Sequence, residues 1–179
     1  MKIIKIITIL LLFSFYSFGQ CSLKSEDLPA LRGMKLGTDP VDILKIYPAA
    51  EFSPVDEIGG QKILIHSYNI RSNELKQNLN AIRVQLLDGK IVSFSIEYDN
   101  SVKWDGVSSF TKSLSKNLSI PEDSWKNGDF YATAECADFN IRASLLGLPE
   151  LKIELTELPQ IIKNRNSELE EKKRKAFKP

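Results

Sequence analysis

The sequence predicts an α+β fold: two units, each a helix followed by three antiparallel strands, packed into one domain and trailed by a charged C-terminal helix. Three observations carry this. Alternating, β-forming runs fall in two groups, at Ile63–Ile70, Ile82–Leu86 and Val92–Tyr98, then at Phe130–Cys136, Phe139–Leu145 and Leu151–Leu155. A stripe of helical spacing from Trp104 to Leu118 separates the groups, and a Gly-Thr-Asp-Pro helix start precedes the first. Composition agrees: 179 residues, 42% hydrophobic, with 24 basic and 23 acidic side chains, make one globular domain. A chain of this length buries roughly 70% of its unfolded surface. The balance excludes a disordered chain and a general nucleic-acid binder, and two cysteines are too few for a disulfide-dense miniprotein.

Residues 1–19 read as a secretory signal peptide, with Lys2 and Lys5 at its start, an apolar run from Ile6 to Phe13, and Ser17 and Gly19 before the cut. The run is shorter than the ~20 residues of a membrane span. The expected product is a secreted or periplasmic chain beginning at Gln20, with no span in its mature form. Cys21 stands where a lipoprotein carries its lipid, but Gln20 is not the small residue a lipobox needs, so a lipid anchor at Cys21 is the lesser alternative. Loss of the leader moves the formal charge from +1 to −1 and exposes a split: residues 158–179 carry +4 and residues 20–157 carry −5. In an oxidising compartment Cys21 and Cys136 are expected to pair.

The elements follow in order. Thr38 or Asp39 caps a helix with Pro40 in its first turn, Val41, Leu44 and Tyr47 form its apolar face, and Pro48 stops it. Ile63–Ile70 is a strand and Ser72–Asn78 a loop. Ile82, Val84 and Leu86 share one face, as do Val92, Phe94, Ile96 and Tyr98. A three-residue loop, Leu87-Asp88-Gly89 with Gly89 left-handed, opposes Val84 to Val92 and brings both sets to one core. Trp104, Val107, Phe110, Thr111, Leu114 and Leu118 form the amphipathic helix that Pro121 closes. A two-residue turn, Ala137-Asp138, places Phe130, Ala132, Ala134 and Cys136 on the same face as Phe139, Ile141, Ala143 and Leu145. Residues 20–157 are thus the folded domain. Residues 158–179 are a helix laced with Glu168–Lys172, Glu170–Arg174 and Glu171–Lys175 pairs at i,i+4 spacing.

The stretch Gly33-Met34-Lys35-Leu36-Gly37-Thr38-Asp39-Pro40-Val41-Asp42-Ile43-Leu44, ending at Tyr47-Pro48, resembles the helix start of small envelope proteins of the SmpA/OmlA outer-membrane-assembly type. It also resembles the helix-plus-sheet units of β-lactamase-inhibitor-like proteins. The resemblance implies an exported α+β module that works by binding other proteins, and it transfers no binding residue.

Candidate chemistry is sparse. His66 is the single histidine, too few for a metal site of three or four such ligands, and no nucleophile elbow, zinc motif or phosphate loop is present. Carboxylates at Asp99, Asp105, Glu122, Asp123 and Asp129 are candidates for an acid–base pair, read here as caps and solvated loops. Trp104 belongs to the apolar stripe, whereas Trp125, beside Lys126 and Asn127, is a candidate contact residue. Lys172, Lys173, Arg174 and Lys175 form a basic cluster able to touch an anionic surface weakly. The expected function is a non-enzymatic binding module of the cell envelope or secretome. Its partner is a protein or envelope component rather than nucleic acid, and no cofactor or metal is called for. The alternative is a hydrolase using His66 with nearby carboxylates.

Overall fold

The computed structural model describes residues 21–177, so the expected signal peptide, like residues 178–179, lies outside the described residues. Eight strands, β1 (Glu51–Phe52), β2 (Gly60–His66), β3 (Leu79–Leu87), β4 (Lys90–Tyr98), β5 (Lys126–Asn127), β6 (Tyr131–Glu135), β7 (Phe139–Ser144) and β8 (Glu150–Leu155), form one antiparallel sheet. Four helices accompany it: α1 (Pro40–Ile46), α2 (Asn73–Lys76), α3 (Val107–Leu118) and α4 (Leu158–Ala176). The fold is α+β. The strand order β1-β2-β3-β4-β8-β7-β6-β5 joins the two groups through β4 and β8. The expected six strands are eight, because a two-residue strand guards each edge, too short for the β-forming pattern to register.

One face of the sheet is apolar across its whole width. Ile63, Ile65, Ile82, Val84, Phe94, Ile96, Leu151, Ile153, Ile141 and Ala132 are buried there in one cluster with α1, α3 and the lead-in segment. Helix α3 turns Val107, Phe110, Thr111, Leu114, Ser115 and Leu118 inward, the expected stripe plus Ser115. Trp104 precedes this helix instead of belonging to it and stacks on Phe110, with centroids 5.0 Å apart. Phe130, expected on the core face, is 58% exposed because the ladder of β6 begins only at Tyr131.

Helix α1 presents a different face from the expected one. Asp39 caps it by accepting from the Val41 amide at 2.9 Å, and Ile43 and Tyr47, one turn apart, point inward. Val41 and Leu44 are left 56% and 41% exposed. The inward pair is fixed by Tyr47, whose hydroxyl donates to the Arg32 carbonyl at 2.7 Å. The expected strand to Ile70 ends at His66 in a 3₁₀ turn, and the expected loop Ser72–Asn78 contains α2, whose first turn Ser72 caps.

The β3–β4 hairpin corrects the expected loop. Leu87 pairs with Lys90 and Leu86 with Ile91, so the turn is the two residues Asp88 and Gly89, both left-handed at φ 50° and 71°. The register then shifts: Gln85 pairs with Ser93, Val84 with Phe94 and Ile82 with Ile96. Val92 is therefore the extra residue of a β-bulge. The bulge keeps Ile91 and Phe94 on the core face and delivers Val92 to the other, where it packs with Leu87 and Leu158 of α4. A pure alternation reading cannot supply this, because one added residue reverses the parity of everything beyond it.

Helix α4 crosses that end of the sheet. Leu158 is buried, and Ile161 and Ile162 pack against the small second cluster. Arg165 donates to the Ile58 carbonyl at 2.7 Å and grips both carboxylate oxygens of Asp88, a hydrogen-bonded contact that holds the Asp88 carboxyl below its usual range. Of the expected i,i+4 pairs, Glu171–Lys175 is formed at 2.6 Å, whereas Lys173 reaches off the helix to Glu57 at 2.7 Å.

Cys21 and Cys136 are joined in a disulfide that spans 115 residues, with their Cα atoms 4.5 Å apart. Around it the Ser25 amide and hydroxyl both donate to Asp138 at 2.7 Å, and the Ala137 amide donates to the Leu23 carbonyl at 3.0 Å. The start of the described chain is thus tied to the β6–β7 turn. For a loop this long the entropy model assigns on the order of 4 kcal/mol. The double substitution Cys21→Ser, Cys136→Ser should therefore lower the thermal midpoint by about 10 °C. Reduced wild type should melt with the variant; a midpoint equal to the oxidised protein's would refute the stabilising role.

Tyr47 is 2% exposed, and burial pushes its hydroxyl up to about 12, with the Arg32 charge pulling the other way. The folded value lies above the ordinary 10.0, so the neutral ring's contribution is complete below pH 10 and drains away as pH rises through 12. At pH 11 the loss should be about 1 kcal/mol by urea unfolding. Tyr47→Phe, which has no proton to lose, should show a shallower alkaline decline than wild type between pH 9 and 11.

Candidate functional site

Strand alternation gives the sheet a second face opposite the core, and α4 covers only its hairpin end. The register aligns the side chains there in rows across the strands. The central row runs Leu64, Arg83, Ser95, Lys152, Arg142, Thr133 and Lys126 from β2 to β5. A row on one side contains Gln85, Ser93, Glu154, Asn140 and Glu135, and a row on the other contains Glu97, Glu150, Ser144 and Tyr131.

Ser93 and Ser95 are 4% and 6% exposed although no helix lies over them. Their side chains are short and their neighbours long, so they floor a cleft of about 630 Å³ walled by Glu51, Leu64, Arg83 and Lys152. A second cleft of about 440 Å³ lies beyond Lys152, lined by Thr133, Asn140, Arg142 and Glu154. Lys152 lines both.

The charges on this face are mostly paired. Arg83 meets Glu97 at 2.9 Å, and Glu97 also accepts from Asn80. Lys152 meets Glu154, and Lys126 meets Glu135 at 2.9 Å. Arg142 differs: its guanidinium carbon sits 5.0 Å from the Tyr131 ring centroid, and it makes no ion pair or hydrogen bond among the described residues. Asn140 Oδ1 is buried without a hydrogen-bond partner among the described residues.

Of the residues singled out by sequence, His66 lies on this face, at the β2 end of the Glu97 row and outside both clefts, and the others are placed elsewhere. Trp125 is 7% exposed and donates from Nε1 to Ser115 Oγ at 2.8 Å, so it is a core residue and offers no contact surface. Its polar sequence neighbours concealed this, since Lys126 and Asn127 belong to the edge strand that turns away. Lys172, Lys173, Arg174 and Lys175 are exposed on α4, away from both clefts, with Lys173 and Lys175 already paired. His66 stacks on Tyr68 at 4.8 Å and hydrogen-bonds no carboxylate or hydroxyl among the described residues. Asp99 folds back onto Ser101; Glu122 and Asp123 share one 3₁₀ turn, and Asp105 and Asp129 stand on two other connections. Among the described residues, no group of three or more His, Cys, Asp or Glu is placed to hold a metal, and no helix is long and apolar enough to cross a membrane. Sequence reasoning missed Ser93, Ser95, Arg142 and Lys152. Their signal was the polar half of each alternating strand.

No family model matches the sequence, and no curated protein matches it. Among solved structures, a cysteine-rich secretory protein from Staphylococcus aureus subsp. aureus Mu50 is similar over 69% of this chain at 11% identity, with a TM-score of 0.42. The chain spans 45% of that protein's length.

The Trp125 assignment has a direct check. Trp125→Phe strands the Ser115 hydroxyl and should cost about 1–3 kcal/mol in urea unfolding. Trp104 Nε1 is buried with no acceptor among the described residues, so Trp104→Phe removes an unsatisfied donor and should cost less. Equal losses would contradict the assignment.

Proposed function

We propose that this chain is an exported, non-enzymatic binding module that offers the uncovered face of its sheet to a protein partner. The carrying observation is the cleft over Ser93 and Ser95, a depression in a broad sheet with Leu64 as its apolar wall and charged side chains around its rim. Arg83 lines it, and Arg142 and Tyr131 stand farther along the same face, residue types that dominate protein interfaces. A binder fits better than a hydrolase because His66 lines neither this cleft nor its neighbour.

Export is supported by the leader pattern of residues 1–19 and by a disulfide of the kind that persists in oxidising compartments. The disulfide also occupies the Cys21 sulfur that a lipid thioether would need, which favours a free chain, secreted or periplasmic. The order of elements supports reading the domain as two like units: α1 then β1–β4, and α3 then β5–β8, each a helix followed by a meander. The resemblance of the Gly33–Pro48 helix start to exported protein-binding modules points the same way.

Ser95→Arg tests the face. The new side chain fills the cleft from the polar side and leaves the core untouched; standing between Arg83 and Lys152 it should lower the thermal midpoint by a few degrees without unfolding the protein. Wild-type protein should capture a partner from the native secreted or periplasmic fraction, and Ser95→Arg should lose it. Retention of that partner at wild-type yield by a folded Ser95→Arg variant would sink the reading.

A further inference from the structure

We propose that Arg142, with Lys152 beside it, anchors a carboxylate of the partner: an aspartate or glutamate two residues from an apolar or aromatic residue that enters the Ser93/Ser95 cleft. This rests on the binding-face reading and specifies its chemistry.

Arg142 and Lys152 are directly opposite across the β7–β8 pair. Like charges facing each other across a ladder oppose folding, and the arrangement is relieved only in part by Glu154, which takes Lys152. Arg142 keeps a full set of guanidinium donors with no acceptor among the described residues, in a fork that matches a carboxylate's two oxygens. Tyr131 holds that fork by its flat face, so less side-chain freedom is lost when an anion arrives.

Spacing links the anchor to the cleft. Ser95, Lys152 and Arg142 are successive members of one row. Strands lie about 4.8 Å apart, which sets Ser95 and Arg142 roughly 10 Å apart. On an extended partner segment, side chains two residues apart share a face about 7 Å apart, and their own lengths cover the rest of that distance, one seated over the serines and the other at the guanidinium.

The flanking rows narrow the choice of ligand. Glu97 and Glu150 lie on one side, and Glu135 and Glu154 on the other. A single carboxylate fits between them, whereas a polyanion or an anionic lipid surface meets carboxylates on both sides. The same rows penalise a partner docked one row out of place, which gives register as well as affinity.

The test uses the disulfide-bonded protein, ¹⁵N-labelled, and matched probes: 3-phenylpropionate, 3-phenylpropylamine and galacturonate. Phenylpropionate should give saturable shifts at the amides of Ser93, Ser95 and Lys152 and at the Arg142 side chain, with the amine about tenfold weaker. Arg142→Gln should weaken phenylpropionate by about tenfold, and Lys173→Gln, on α4, should leave it unchanged. Equal binding of acid and amine, or wild-type binding by Arg142→Gln, overturns the carboxylate anchor. Galacturonate binding as tightly as phenylpropionate moves the carboxylate from protein to polysaccharide and overturns the proposal too. The two readings fail separately. Loss of phenylpropionate selectivity while Ser95→Arg still abolishes capture removes the anchor alone. Capture indifferent to Ser95→Arg removes the binding face.

Discussion

The antiparallel pairing of β4 with β8 is the constraint on which the rest of the molecule depends. Five consecutive pairs, from Ser93 with Glu154 to Glu97 with Glu150, turn two separate meanders into one sheet and leave no open edge at its centre. They also settle both faces together. Phe94 meets Ile153 and Ile96 meets Leu151 on the core side, while Ser95 meets Lys152 on the other. A slip of one residue would expose the aromatic and aliphatic set and bury the serines and charges, so burial of the core face enforces the composition of the open one. The open face needs no separate folding signal.

Two devices reconcile that register with the rest of the chain. The Asp88–Gly89 turn alone would set the apolar residues of β3 and β4 on opposite faces, and the extra residue at Val92 restores them. The displaced Val92, with Leu87, gives α4 an apolar seat. Arg165 then locks the helix to the same turn through Asp88 and to the neighbouring loop through Ile58. Far across the sheet, the Cys21–Cys136 bond and the Ser25–Asp138 hydrogen bonds pin the lead-in segment to the β6–β7 turn. That segment contributes Leu28, Met34 and Leu36 to the core, so the staple holds part of the hydrophobic cluster in place.

Long alternating runs made β3, β4, β6, β7 and β8 legible in the sequence, and the 3.6-residue stripe of α3 was legible for the same reason: each buries one continuous apolar set. Where two solutions of equal apolar pattern existed, the sequence was not decisive. Helix α1 has apolar residues on both sides, and hydrogen bonding of Tyr47 to Arg32 selected Ile43 over Leu44. The bulge at Val92 turns on pairing across strands that local periodicity does not contain. The site was less legible than the fold, because its members are far apart in sequence and become neighbours only through register. Arg142 and Lys152 are ten positions apart and directly opposite; Ser95 and Lys152 are separated by fifty-seven.

The choice of serine at two positions of a central strand bears on why this face is open. Central strands favour β-branched and aromatic residues, which pack against their cross-strand neighbours. Ser93 and Ser95 forgo that packing where the sheet is otherwise most stable, while the same strand's core side carries Phe94 and Ile96. Helix α4 lies over Leu87 and Val92 at the hairpin end. From there it runs toward Glu57 and contributes no residue to the cleft over the serines. A depression set on paired strands, two strands from an arginine held on a tyrosine ring, places its side chains on regular structure, which positions a site more precisely than a loop does.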